Sequence, residues 1–401
     1  MVKASLNRQI GSIFMIIGTE VGAGVLALPI IISRMGILYG SLIIVVAWLI
    51  MLYTALLVCE ANYNLPLGSS FASMAYKFIG LKGKWILTII FGVTLYSILM
   101  AYISAAGSVV NSIIDVPNSL ASLLFVVILG LVVISGTRAV DYLNRTLMSI
   151  KLFAFLTAIV LMFFTIKIHN LFNIDQQQNN LVFISIPAII TSFILHNIIP
   201  TIRNYLSNNL VQLRKVVIIG SIIPLVLYLI WVWVILGNIP TYGAYSFHSL
   251  HKLGSDANIG DLISILAFNV KYPIIISSIN FVSTISVTTS FLGVAISLYE
   301  FIKDLVNSSV KQPHQYRMLP IFLTFIIPLL IVQFYPNLFI LALNFAGLGA
   351  SILFILIPVI IMKQMLRNNY ACDLPILTKQ SLLNLIFIVG VAVIAIECFN
   401  F

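Results

Sequence analysis

The chain has 401 residues and a formal net charge of +10; 61% of its residues are hydrophobic and only 8% are charged, with a mean hydropathy of +1.13. Soluble domains are about 45–50% apolar and about 25% charged, so this chain cannot cover a water-facing surface. A soluble globular protein, a nucleic-acid binder and a disordered chain are all excluded.

A membrane-spanning helix needs about 20 mostly apolar residues. Eleven stretches meet that need, at 11–33, 38–60, 85–113, 119–136, 148–168, 183–202, 216–236, 273–302, 318–334, 337–362 and 380–400. Their apolar runs are continuous, without the period-2 alternation of an outer-membrane barrel. The expected fold is an all-α integral membrane protein with eleven transmembrane helices. The first stretch follows Lys3 and Arg8, but Glu20 interrupts it and no small-residue cleavage site follows, so it is expected to stay as a helix rather than leave as a signal peptide.

The basic residues set the orientation. With the N-terminus in the cytoplasm, Arg34, Lys167, Lys252 and Lys271 lie outside and the other Lys and Arg of the 21 lie inside. Such a bias places positive loops in the cytoplasm, and the C-terminus then ends outside. Asp141, Arg145 and Lys151 fall at the cytoplasmic mouth of helix 5 and serve that bias. Glu60, Glu300 and Asp304 fall at inner helix ends. The longest connection, 237–272, is external and is expected to hold a short helix near 258–268.

No loop is long enough for a soluble domain, so residues 1–401 form one membrane domain. The chain lacks G-x-x-x-x-G-K-[ST] and H-E-x-x-H, and Cys59, Cys372 and Cys398 lie far apart. Neither a metal, a cofactor nor enzyme chemistry is expected.

The first helix reads Gly18-Thr19-Glu20-Val21-Gly22-Ala23-Gly24-Val25-Leu26-Ala27-Leu28-Pro29. Each glycine lowers helix propensity by about 1 kcal/mol relative to alanine. A break here frees backbone groups that lipid cannot satisfy, so it must line a cavity or meet a ligand. The half-helix after the break would aim its amides and positive end at an anion. A plain packing seam of small residues at Gly18 and Gly22 is the alternative. Glu20 argues for function, because an intramembrane carboxylate is costly.

Helix 6 reads Ser192-Phe193-Ile194-Leu195-His196-Asn197-Ile198-Ile199-Pro200. His196 and Asn197 are polar within an apolar run, and Pro200 removes a backbone donor. Two interrupted helices at matching positions of two halves point to a transporter with a midplane site. The expected repeats are 11–168 and 183–362, with 380–400 as an extra helix.

Several motifs resemble the bacterial aromatic amino acid permeases, the tyrosine/tryptophan permease family. They are Gly18-Thr19-x-x-Gly22-Ala23-Gly24-x-Leu26-Ala27-Leu28-Pro29, Tyr102-Ile103-Ser104-x-x-Gly107-Ser108 and Val140-Asp141-x-Leu143-Asn144-Arg145. Further along stand Phe193-x-x-His196-x-x-Ile199-Pro200-x-Ile202, Leu213-Arg214-Lys215 and Ile218-Ile219-Gly220-Ser221-x-Ile223-Pro224. Thr289-Ser290-Phe291-Leu292-Gly293-Val294-Ala295 closes the series. The resemblance covers about 10 to 305.

It implies the amino acid–polyamine–organocation superfamily, the five-plus-five inverted-repeat fold of LeuT type, and proton-driven symport of tyrosine or tryptophan across the bacterial inner membrane. Glu20 stands where the family is expected to carry a small or hydroxyl residue, and Asn197 where glycine is expected. A serine/threonine carrier, sodium coupling, or a sensor or channel on the same scaffold are the alternatives.

The resemblance also implies roles. The substrate carboxylate would meet amides near Val21, Gly22, Ala23 and Gly24, and its ammonium the carbonyls of Ile17, Gly18 and Phe193. The side-chain pocket would draw on Tyr96, Tyr102, Phe193, Asn344 and Phe345, with His196 and Asn197 beside it. Glu20 is the first expected proton carrier and His196 the second. For sodium, hydroxyls such as Thr288 and Thr289 would join helix 1 carbonyls in an oxygen cage.

Overall fold

The computed structural model describes residues 6–67, 69, 71–173, 186–253, 259–270, 272–309, 318–370 and 372–400. Among them every regular element is helical. The first half holds α1 (Leu6–Glu20), α2 (Ala23–Ile32), α3 (Ile37–Tyr63), α4 (Phe71–Ile79), α5 (Leu81–Ile114), α6 (Asn118–Ile134), α7 (Thr137–Phe163) and α8 (Ile168–Phe172). The second begins with α9 (Ile186–Thr191) and α10 (Ile199–Tyr205), joined through a 3₁₀ turn at His196–Ile198. It continues with α11 (Leu210–Asn238), α12 (Phe247–His251), α13 (Ile259–Val270) and α14 (Pro273–Ser309). Then come α15 (Met318–Ile321), α16 (Ile327–Phe334), α17 (Phe339–Ala350), α18 (Ile357–Arg367), α19 (Pro375–Thr378) and α20 (Gln380–Asn400).

Each apolar stretch of the sequence is mainly helical where it is described, with turns inside several of them, and the short helix expected near 258–268 corresponds to α13. The start of the second expected repeat, at 183, lies outside the described residues. Seven helices among the described residues are long and apolar enough to cross a membrane: Ile37–Tyr63, Leu81–Ile114, Tyr142–Phe163, Ile186–Tyr205, Leu210–Asn238, Pro273–Lys303 and Phe339–Arg367. The remaining apolar helices are shorter, and the first stretch is divided by its own break. The chain is a multi-pass membrane protein.

Proline shapes two further helices. Pro328 and Pro358 each follow a π-helical segment, at Phe322–Ile326 and Ser351–Leu356. Proline cannot donate to the carbonyl four residues back, and its ring crowds that carbonyl. Widening the preceding turn relieves the crowding.

The core is built around α5, which packs on α17, α14 and α6; α14 packs on α7, α17 on α9, and α11 on α3 and α1. Ser33, just after α2, is hydrogen-bonded to His251 of α12 at 2.8 Å. At the opposite end of the bundle from Ser33, near the end of α3, Glu60 accepts from Arg214 Nε of α11 at 2.6 Å. Asp373 lies 3.5 Å from the same guanidinium, and Arg203 donates to the carbonyls of Asn62 and Leu65. Cations suit the negative end of a helix.

Glu60 is 1% exposed and Arg214 8%. Removing one partner of a buried ion pair leaves an uncompensated charge and costs about 3–5 kcal/mol. Glu60→Ala should therefore lower the thermal unfolding midpoint in detergent markedly, whereas Asp373→Ala, at the exposed arm, should barely move it.

Candidate functional site

Helix 1 is broken between Glu20 and Ala23, where α1 ends and α2 begins. The Val21 amide still donates to the Ile17 carbonyl at 2.8 Å, and Gly22 N–H turns back to the Glu20 carbonyl at 2.7 Å. The carbonyls around the break meet side chains from other helices. Tyr228 of α11 donates its hydroxyl to the Glu20 carbonyl at 2.5 Å. Trp231, on the same face three residues later, donates its indole N–H to the Val25 carbonyl at 2.6 Å. Lys151 of α7 donates to the Val21 carbonyl at 2.5 Å and to Thr289 Oγ1 of α14 at 3.2 Å. On the other side, α2 opens at Ala23, Val25 N–H donates to the Gly22 carbonyl at 3.3 Å, and the amides of this first turn carry the positive end of the helix.

Helix 6 unwinds at 192–195. Ser192 and Phe193 donate their amides to Ile189 and Ile190 at 3.1 Å, which closes the last turn of α9. Phe193 is fully buried and meets the Tyr228 ring edge-on, with centroids 5.6 Å apart. The two breaks converge here. A Cβ on Gly24 would lie 2.6 Å from the Tyr228 hydroxyl and 2.7 Å from Ser192 Oγ. One on Gly22 would lie 2.6 Å from Ser290 Oγ and 3.2 Å from the Tyr102 hydroxyl. The glycines thus let three helices and the α9 turn close on the break.

Of the residues singled out from sequence, the fold brings Glu20, Val21, Gly22, Gly24, Tyr102, Phe193 and Thr289 together here. Ala23 opens α2, but its side chain lies outside the described residues, as do those of Asp141, Arg145 and Asp304. Ile17 and Gly18 form the last turn of α1. The Ile17 carbonyl is already engaged, and Gly18 faces Met148, whose Cε would sit 2.6 Å from an added Cβ. Glu20 is 3% exposed, and among the described residues neither of its carboxyl oxygens has a hydrogen-bond partner.

Other expected residues stand elsewhere. Tyr96 donates to the Leu323 carbonyl at 2.8 Å and fastens α5 to a π-helical turn. His196 faces away from helix 1: its Nε2 is 2.9 Å from Thr54 Oγ1 of α3, and its ring stacks on Phe354 at 5.0 Å. Asn197 and Phe345 are exposed. Thr288 returns its hydroxyl to the Thr284 carbonyl at 2.7 Å. Asn344 is buried on α17, the helix that packs on α5 and α9.

Two residues at the break, Tyr228 and Trp231, were not singled out by the sequence, and a third, Lys151, was placed elsewhere. Lys151 corrects an expectation. It reads as a cytoplasmic anchor if helix 5 starts near 148, but α7 starts at Thr137. Lys151 therefore lies about 21 Å along the helix at 1.5 Å per residue, and it is 2% exposed. The signal was present in Asp141, Asn144 and Arg145, which belong to the polar inner turns of the same helix. Beside Lys151 is a cavity of about 50 Å³ lined by Phe14, Ile17, Val21, Met148, Lys151 and Phe155, among others.

Comparison with known proteins agrees with this architecture. A model of the tryptophan/tyrosine permease family matches residues 6–397. The tyrosine-specific transport system 1 of Haemophilus influenzae is 30% identical over 394 residues, covering 98% of this chain and 96% of that one. Glutamine transporter 2 of Aliivibrio fischeri is 29% identical over 357 residues, 88% of this chain and 87% of its own. The low affinity tryptophan permease of Escherichia coli K12 is 28% identical over 360 residues, 87% and 85% of the two chains. With matches along nearly its whole length and a broken-helix site at its centre, the chain belongs to the tryptophan/tyrosine permease family and is a membrane transporter rather than an enzyme.

Proposed function

We propose that the protein is a proton-coupled symporter of aromatic amino acids, tyrosine or tryptophan, working by alternating access in the bacterial inner membrane. The substrate binds between the breaks of helices 1 and 6. Its carboxylate faces the first amides of α2, and its ring packs near Phe193 and Tyr102. The proposed frame has eleven spans in two inverted repeats, 11–168 and 183–362, with 380–400 outside them. The N-terminus is cytoplasmic and the C-terminus is on the other side. Breaks in the first and sixth helical stretches support that frame, and the Lys and Arg distribution supports the orientation.

The observation that carries proton coupling is the seat of Lys151. Its ammonium bridges the Val21 carbonyl and Thr289 Oγ1, the oxygens a sodium ion would need from helix 1 and α14. An ionisable group of the chain takes the place of the bound cation. Protonated Lys151 ties α7, the helix 1 break and α14 together; loss of its proton loosens that tie and frees α1 to move. A cavity of about 50 Å³ lies beside Lys151. Of the carriers expected from sequence, Glu20 shares the break with Lys151, whereas His196 is assigned to packing against Thr54 and Phe354.

The glutamine-transporter name of one relative at 29% identity favours a second reading, a polar amino acid substrate. The test is uptake into proteoliposomes of labelled tyrosine, tryptophan, phenylalanine, serine and glutamine. An imposed pH gradient alone should drive concentrative uptake of the aromatic substrates. Uptake that requires a sodium gradient would overturn the coupling assignment, and concentrative uptake of glutamine alone would overturn the substrate.

A further inference from the structure

The sequence places the substrate's ammonium on the carbonyls of Ile17, Gly18 and Phe193, and of these the structure shows that of Ile17 already in use. The Ile17 carbonyl accepts from Val21 N–H, and the Glu20 carbonyl from Gly22 N–H and Tyr228. Val21 is held by Lys151 and Val25 by Trp231. A stronger acceptor at the break is the Glu20 side chain. It is 3% exposed, and both of its carboxyl oxygens lack a hydrogen-bond partner among the described residues. The Tyr228 hydroxyl, 2.5 Å from the Glu20 carbonyl, sits beside it. That hydroxyl packs directly on Gly24, 2.6 Å from where a Cβ would stand. The one lysine at the break is turned to Val21 and Thr289.

We infer that Glu20 is the counter-ion of the substrate's ammonium, an assignment that rests on the amino acid reading above. A buried carboxylate without a partner is expensive, and a cationic amine arriving beside it supplies the missing charge. The break then meets both ends of a zwitterion. Glu20, the last residue of α1, takes the ammonium, and the first amides of α2, three residues on, take the carboxylate. Lys151 is turned to acceptors of its own, the Val21 carbonyl and Thr289 Oγ1, so substrate charge and coupling charge are handled by separate groups. The substrate class follows: ligands with a free α-amino group, with deaminated acids excluded.

The experiment is a cycle between protein and ligand. Binding of L-tyrosine and L-tryptophan to purified protein in nanodiscs is compared with binding of their deaminated analogues, 3-(4-hydroxyphenyl)propionate and indole-3-propionate. The proteins are wild type, Glu20→Gln and Glu20→Asp, each checked for monodispersity. A hydrogen bond to a charged group contributes about 1.5–3 kcal/mol. Deamination should therefore weaken binding to wild type about 10- to 150-fold.

In Glu20→Gln that penalty should fall below about fivefold, while Glu20→Asp should keep most of it. An equal penalty in wild type and Glu20→Gln, or loss of both ligands in equal proportion, would overturn the assignment and leave the amino acid reading standing. Failure of wild type to bind either amino acid would overturn that reading, and the assignment with it.

Discussion

Lys151→Met should abolish pH-driven accumulation of substrate, with the steady-state gradient falling to equilibrium, while labelled substrate still exchanges by counterflow at a rate within about tenfold of wild type. Methionine fills much of the lysine's volume with flexible apolar atoms, so the helix packing survives. Without the ammonium, the Val21 carbonyl loses its donor, which costs about 1–3 kcal/mol for a buried group left unmet, while Thr289 Oγ1 keeps its bonds to the Ile285 and Ser286 carbonyls. That cost falls on the state in which α7, the break and α14 are tied together. The variant should therefore favour an open arrangement and equilibrate substrate without coupling it to protons. Proteoliposomes under an inward pH gradient, assayed beside counterflow, separate the two activities. Undiminished accumulation by Lys151→Met would show that the coupling proton travels elsewhere.

Gly24→Val should reduce substrate binding at least about 100-fold without impairing membrane insertion, and Gly24→Ala should reduce it about tenfold. The ideal Cβ would stand 2.6 Å from two atoms of Tyr228 and 2.7 Å from Ser192 Oγ, closer than real side chains approach. Overpacking of this kind costs about 1–3 kcal/mol. Tyr228 cannot retreat easily. It is fully buried, its ring rests on Phe193 and its hydroxyl holds the Glu20 carbonyl. The strain therefore passes to both breaks at once. Gly22 offers an internal comparison, since its nearest neighbour is the single hydroxyl of Ser290, which can rotate aside. Gly22→Ala should be milder than Gly24→Ala, and the reverse order in binding assays on monodisperse protein would contradict the packing described.

The breaks in helices 1 and 6 were legible because their causes are local. Gly22 and Gly24 weaken the first helix, and Pro200 removes a donor from the sixth, wherever those helices pack. Glu20 was legible for a similar reason, since a carboxylate in an apolar run is costly in any fold. Tyr96 and His196 show the opposite. Each sits in a plausible place along the chain, yet Tyr96 finds Leu323 and His196 finds Thr54 and Phe354. Successive side chains on a helix point about 100° apart, so a neighbour in sequence is not a neighbour at the site.

Composition and apolar run length are sums over nearby residues, and so the membrane class, the helical stretches and the family motifs can be read directly from the 401 residues. The membership of the site cannot, because it depends on contacts between residues far apart in the chain. Lys151 reaches Val21 across 130 positions and Tyr228 reaches Glu20 across 208. A lysine near the end of an apolar run has two outcomes of very different energy: its ammonium stays in the headgroup region, or it is buried against a carbonyl and a hydroxyl. The choice rests on where α7 begins, how it leans on α14, and whether helix 1 opens an acceptor opposite it. Only the packed bundle supplies all three.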